Sequence, residues 1–195
     1  MGTLALPHRM TPEEYLEQEN KAEFRSEYSG GIVFAMAGGT RIHSLISTNV
    51  SHSLHAALAG SACEVHNSEL RIWIPAANAF CYPDALVACD PLRYFCNRSD
   101  AIENPRLVVE VLSESSETYD RGQKFRKYRS IPDLRQYVLI SQKEPLVEVF
   151  NRTEQGFWLL REYVGLDSVA DLDSVSVLLP LRDIYYRVDF EPVAD

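Results

Sequence analysis

No apolar run in the 195-residue sequence approaches the roughly 20 residues needed to cross a bilayer, so no membrane span is expected. Met1 to Met10 carries one short apolar patch and no cleavage-site pattern. No signal peptide is therefore read there, and a cytoplasmic location is the default expectation. CxxC pairs are missing too. Cys63, Cys81, Cys89 and Cys96 lie 18, 8 and 7 positions apart. That spacing argues against a zinc ribbon, and in a reducing cytosol the four are expected as buried or half-buried free thiols. Positive charge is in short supply, with 19 Lys and Arg against 28 Asp and Glu, a net charge of -9. This argues against a protein that coats nucleic acid non-specifically, because phosphate binding needs neutralising cations. It does not exclude a nucleic-acid enzyme, since a carboxylate site carries its own negative charge until a metal binds. Internal repeats, low-complexity tracts and linkers are absent as well, and the length suits a single domain over residues 1–195.

What is present reads as a mixed α/β order. Thr11-Pro12-Glu13-Glu14 predicts a helix start, with Thr as N-cap, Pro at the first position and acids in the first turn, running to about Asn20. Ile32 to Ala37 is β-compatible and stops at Gly38-Gly39. Ile42, Leu45, Ile46, Asn49, Val50, Leu54 and Leu58 predict a second helix that ends before Gly60. His52 and His55 fall on its polar face and His43 at the flank of its buried arc. Short strands follow at Cys63–His66, Glu69–Ile74, Tyr82–Cys89 and Leu107–Leu112, with Asp90–Pro105 read as an exposed loop. Glu117–Ser130 predicts a helix stopped by Pro132. Leu134–Ile140, Leu146–Asn151 and Phe157–Val164 are strands, the last two a hairpin. Val175–Leu179 predicts one more, before a short helix from Leu181. This order points to a mixed sheet flanked by helices, an α/β (α+β) fold.

Two carboxylates interrupt segments that packing alone would keep apolar. Glu110 sits inside Leu107-Val108-Val109-Glu110-Val111-Leu112, and Asp84 opens the run Ala85-Leu86-Val87. An unpaired buried carboxylate is costly, so each requires a cation, a metal or access to water. Either alone reads first as half of a structural salt bridge; two in neighbouring strands favour a site. On the helix after Glu110, Arg121, Lys124 and Tyr128 are spaced to share a face, read either as a solvated basic surface or as a reach of Lys124 toward the carboxylates.

Pro83-Asp84 followed by Glu110 26 residues later in an apolar strand resembles the PD-(D/E)XK nuclease superfamily. Further matching stretches are Glu27-Tyr28, Ala35-Met36-Ala37-Gly38, His43 and Ser68-Glu69-Leu70-Arg71. They continue through Val109-Glu110-Val111-Leu112-Ser113, Tyr119-Asp120-Arg121-Gly122-Gln123-Lys124-Phe125 and Tyr128-Arg129-Ser130-Ile131-Pro132. In this order they resemble the large bacterial family described as restriction-endonuclease-like, over roughly residues 10–190. The resemblance implies a restriction-endonuclease-like mixed sheet flanked by helices, with additional C-terminal strands. It implies a Mg²⁺-dependent DNA endonuclease, with Mn²⁺ as a substitute, and catalytic residues Asp84, Glu110, Lys124 and Glu27. Asp84, Glu110 and a backbone carbonyl near Val111 would bind the metal. His43, Arg121 and Tyr128 would contact phosphate or support the site.

Three departures stand out. Leu112 occupies the place of the superfamily's lysine, which maps instead to Lys124. Gly30-Gly31-Ile32 replaces the family's Asp-Gly-Glu, and Glu114 replaces a proline. They motivate the alternative of a weakly catalytic nuclease-fold protein that binds nucleic acid or a protein partner. A third reading, an unrelated α/β protein with structural carboxylates, requires that the three residues not converge. No DNA-reading module is visible, so base contacts, if any, fall to loops such as Asp90–Pro105 with Arg93, Tyr94, Phe95 and Arg98, a stretch that otherwise reads as a solvated surface insertion. Symmetric cutting of both strands implies a homodimer, for which the apolar C-terminal strands are the candidate interface.

Overall fold

A computed structural model describes residues 9–36 and 38–190. Helix α1 (Pro12–Glu19) begins with a full capping box. The Thr11 hydroxyl accepts from the Glu14 N–H at 3.2 Å, and the Glu14 carboxylate accepts from the Thr11 N–H at 2.7 Å. Strands β1 (Ser26–Ser29) and β2 (Ile32–Ala35) form a hairpin whose two central residues, Gly30 and Gly31, have φ of +58° and +92°. Positive φ at both positions is what a two-residue hairpin turn of this hand demands, so the Gly-Gly pair serves the turn. Ala37, the last residue of the expected strand, lies outside the described residues, as do residues 1–8 of the N-terminal segment.

Helix α2 (Arg41–Ala57) starts at N-cap Thr40 and buries Ile46, Val50 and Leu54, the stripe its periodicity predicts. Strands β3 (Cys63–Asn67), β4 (Arg71–Ile74), β5 (Ala79–Cys81), β6 (Ala85–Cys89), β7 (Ala101–Ile102) and β8 (Pro105–Val111) follow. The segment Tyr82–Cys89, expected as one strand, is a strand only from Ala85; Tyr82-Pro83-Asp84 is irregular, because Pro83 lacks a ladder N–H and the chain passes there from the smaller sheet to the larger. The Asp90–Pro105 loop is not wholly exposed: Ala101 and Ile102 are buried as β7, parallel to β4. The Cys63 and Cys89 expectation is also overturned. Antiparallel β3–β6 pairing places the two directly opposite, and they form a disulfide, while Cys81 is buried and Cys96 exposed as free thiols.

The expected Glu117–Ser130 helix is interrupted. Helix α3 (Glu117–Tyr119) passes into a π-helical turn, Asp120–Lys124, before α4 (Phe125–Tyr128). Strands β9 (Gln136–Ile140), β10 (Leu146–Arg152) and β11 (Trp158–Val164) precede a hairpin of β12 (Val169–Leu172) and β13 (Val177–Pro180), and α5 (Leu181–Ile184) closes the order. Only the second strand of that last hairpin was anticipated.

Among the described residues two sheets dominate, a five-stranded one ordered β2-β1-β5-β4-β7 and a six-stranded one ordered β11-β10-β9-β8-β6-β3. The larger is mixed, since β8 and β9 run parallel and its other pairs antiparallel. Alternation along its strands divides the core. Val87, Leu107, Val109, Val138 and Val149 pack on one side with α2, α5 and the β12–β13 hairpin. Leu86, Val108, Tyr137 and Leu139 pack on the other with Ile72 and Ile74 of the smaller sheet and with Phe125 and Tyr128. Glu110 shares the parity of Val108 and Leu112, so its side chain enters this second layer, between the two sheets.

Candidate active site at the junction of the two sheets

The chain leaves the smaller sheet at Cys81 and enters the larger at Ala85, and Tyr82-Pro83-Asp84 is the crossing. Register sets what meets there. Ala85 pairs with Val109 of antiparallel β8, so Asp84 falls beside Glu110, and Asp84 Oδ2 accepts from the Val111 N–H at 2.7 Å. Val111 thus meets Asp84 through its amide.

Lys124 arrives from the π turn. One extra residue per turn shifts the helical phase, so Arg121, Lys124 and Tyr128 do not share one face. Lys124 and Tyr128 go inward to Glu110 Oε1, with Nζ and the phenol each at 2.9 Å. Arg121 turns aside to Glu148 and Glu117, the closest contact being 2.5 Å to Glu148. Lys124 Nζ also lies 3.2 Å from Glu27 Oε1, donates to the Tyr82 carbonyl at 3.2 Å, and stands 3.7 Å from Asp120 Oδ1. Glu27 is fixed on both oxygens: Oε1 accepts from the Tyr82 N–H at 3.2 Å and Oε2 from the Tyr119 hydroxyl at 2.9 Å. Leu112, where the plain motif would carry lysine, is in the core, and its place beside Glu110 is served by Lys124.

The electrostatics of this cluster are unbalanced. Glu27, Glu110 and Asp120 surround one lysine, and all four side chains are buried. Burial alone would push Lys124 down, but the carboxylates of Glu110, Glu27 and Asp120 outweigh it and hold the ammonium well above its ordinary value. Burial pushes Glu110 well up despite Lys124, and Asp120 and Asp84 add to the rise; Asp120 is raised by burial too. Excess negative charge in a low-dielectric place is relieved by a proton or a cation.

Asp84 and His43 form the open side. His43 Nε2 is 3.2 Å from Asp84 Oδ2, and hydrogen bonding to that carboxylate raises the imidazole against the opposing effect of burial. The ring packs on Gly39, where an added Cβ would sit 3.0 Å from Nδ1. Both residues border a cleft of about 1280 Å³ that runs along α2. The loop residues assigned to base contacts are otherwise engaged. Arg93 pairs with Asp133 and Arg98 with Asp100, and Phe95 packs on Trp73 and Phe80.

Asp120 and Tyr119 were assigned no role from the sequence. The spacing of Asp120 and Lys124, four apart in a helical segment, was the available signal. Among the described residues, no three His, Cys, Asp or Glu side chains converge closely enough to hold a metal by themselves. Asp84 Oδ1 and Glu110 Oε2 nevertheless stand outside the hydrogen bonds above. Two carboxylates with a backbone carbonyl are an oxygen donor set of the kind Mg²⁺ takes, since that ion keeps several waters.

Fold and site together define a restriction-endonuclease-like nuclease-fold protein. Its architecture is shared with the crystal structure of "a putative nuclease belonging to DUF820" from Anabaena variabilis ATCC 29413, at a TM-score of 0.73 and 18% identity, covering 90% of this chain and 97% of the other. Residues 12–182 match the family described as "Uma2: Putative restriction endonuclease", and the chain belongs to that family. Two Synechocystis sp. proteins, slr1290 and sll1609, both uncharacterised, are similar to it. The first is 37% identical over 179 residues, 92% of each chain. The second is 34% identical over 165 residues, 85% of this chain and 93% of the relative.

Proposed function

We propose that the protein is a Mg²⁺-dependent endonuclease that hydrolyses phosphodiester bonds in DNA, with Mn²⁺ as a substitute. The observation that carries this reading is the placing of Lys124 Nζ against Glu110 and Glu27, one strand register from Asp84. A salt bridge needs one acid for one base, whereas this lysine is embedded in surplus carboxylate beside an open cleft.

Asp84 Oδ1, Glu110 Oε2 and the Val111 carbonyl would hold the cation. The chemistry supplied there is Lewis acidity, which lowers the pKa of water and offsets charge on the phosphate. The chain's own residues do the rest. The Val111 N–H fixes one oxygen of Asp84, and Tyr128 fixes one oxygen of Glu110. Lys124, anchored by Glu27 and the Tyr82 carbonyl, keeps a full positive charge where negative charge develops in the transition state and positions the attacking water. His43 Nε2 offers a donor to Asp84 or to a phosphate oxygen at the cleft. Residues 1–195 act as one domain, and cutting of both strands uses a homodimer. The test is nicking of supercoiled plasmid in Mg²⁺ or Mn²⁺ by wild type, Asp84→Ala and Glu110→Ala. Loss of nicking in both variants is expected, and equal nicking by all three overturns the reading.

One observation favours the binding-only alternative. Glu110 and Lys124 are closed against each other, with side chains 4% and 7% exposed. Intact wild-type binding of DNA with no nicking in either metal would establish it.

A further inference from the structure

The cleft at Asp84 is larger than the roughly 300–1,000 Å³ of a small-molecule pocket, at about 1280 Å³. One wall is the polar face of α2, which presents Ser44, Ser47, Thr48, Ser51, His52 and His55. About one residue in seven of the chain is acidic, yet the 17 residues of α2 include no Asp or Glu. The Ser47 and Thr48 hydroxyls donate back to the helix at 2.9 and 2.8 Å. Ser44, Ser51, His52 and His55 carry no such bond among the described residues and face the cleft with donors.

The opposite wall is backed by arginine. Arg25 lies there, paired with Glu69. Asp100 lies there too, held by Arg98 at 2.6 Å and Arg71 at 3.3 Å. Arg71 is buried behind this wall, and its Nε and Nη1 have no hydrogen-bond partner among the described residues. Every acid on the cleft therefore has a cationic or imidazole neighbour, and in a chain of net charge -9 this is a surface prepared for an anion.

We propose that this cleft is the track of the nucleic-acid strand. The acid-free face of α2 and the arginine-backed wall seat the sugar-phosphate backbone and deliver one phosphate to Asp84. The proposal rests on the phosphodiesterase reading and deepens it, because it assigns positioning of the strand to α2 and not to the Asp90–Pro105 loop. Contacts of this kind fix register on the backbone and carry no base information, so binding should be indifferent to sequence.

The test is fluorescence anisotropy with a labelled single-stranded oligonucleotide and its duplex, in EDTA, using the full chain. Ser51→Glu with His55→Glu places two acids in the track, and Gln155→Glu with Thr153→Glu adds the same charge on the distant β10–β11 turn. The double variant should weaken binding about tenfold or more while Gln155→Glu with Thr153→Glu stays within about twofold of wild type. Thermal unfolding checks that all three are folded. Should the double variant be unfolded, Ser51→Ala with His55→Ala replaces it, with a loss of about threefold expected. Two outcomes overturn the track: binding by the folded double variant that matches wild type, or absence of wild-type binding to either oligonucleotide. If the double variant loses binding but wild type nicks no plasmid in Mg²⁺ or Mn²⁺, the track stands and hydrolysis is what fails.

Discussion

Lys124 and Glu110 occupy a closed half of the site, walled by Glu27, Asp120, Tyr119 and Tyr128, whereas Asp84 and His43 have side chains 18% and 20% exposed on the rim of a cleft. The closed half couples chemistry to folding. Its charges have left water, and each depends on the others for solvation. The open half is only partly buried and borders the cleft, so its charges are within reach of a ligand and cost the fold less. Two carboxylates side by side on neighbouring strands thus stand in different relations to stability. Substitutions should separate the two halves by their effect on unfolding even where both abolish cleavage.

The largest effect is expected at Lys124. Lys124→Met leaves Glu27, Glu110 and Asp120 buried without a cation, which costs about 3–5 kcal/mol. Urea unfolding at neutral pH should show this loss, and part of it should return as the pH is lowered. Glu110 and Asp120 have raised values in the folded state, so their protonated forms stabilise the fold below the ordinary carboxylate range, and that contribution is lost as pH rises through the folded values. Glu110→Gln should cost less, about 1–3 kcal/mol, because the amide still accepts from Tyr128 and Lys124 retains Glu27 and Asp120. A loss in Glu110→Gln as large as in Lys124→Met would break the idea that surplus negative charge is the strained element.

Arg121 tests whether the boundary between the halves is drawn correctly. It reads as a site residue from its spacing, yet it pairs with Glu148, which is buried, and with Glu117 on its own helix. Arg121→Ala should lower stability by about 1 kcal/mol, a modest value because the guanidinium is itself 36% exposed. Plasmid nicking should survive at a rate near that of wild type. Complete loss of nicking in a protein that still folds would move Arg121 into the catalytic group.

The π turn that parts Arg121 from Lys124 and Tyr128 also shows how much of the molecule is legible in the sequence. Periodicity located α1 and α2 closely, since capping and the 3.6-residue repeat are local signals. The mixed sheet and its C-terminal strands followed from alternation, and Asp84 and Glu110 stood out as charges within apolar runs. The π turn did not: nothing local in Asp120–Lys124 marks an extra residue per turn, and it alters which side chains share a face. The change of sheet between Cys81 and Ala85 is likewise tertiary, with Pro83 its one local sign. Asp120, a single acid on a basic helix, is unremarkable until its burial is known, and the Cys63–Cys89 bond depends on a pairing register that spacing alone does not supply.

The smallest effect on stability is expected in the open half, where it is most informative. Asp84→Asn keeps an oxygen to accept from the Val111 N–H and loses only a partly solvated charge, so unfolding should shift by no more than about 1 kcal/mol while nicking is abolished. Its pH dependence provides the finer test. His43 is raised above 6.5 in the folded state through its bond to Asp84, so its contribution is complete below pH 6.5 and lost as the pH rises through the higher folded value. Wild-type stability should therefore fall slightly above pH 6.5, and both Asp84→Asn and His43→Gln should flatten that slope. If Asp84→Asn retained the full slope, His43 would owe its shift to some other neighbour, and the two residues that define the open rim would not be acting as a pair.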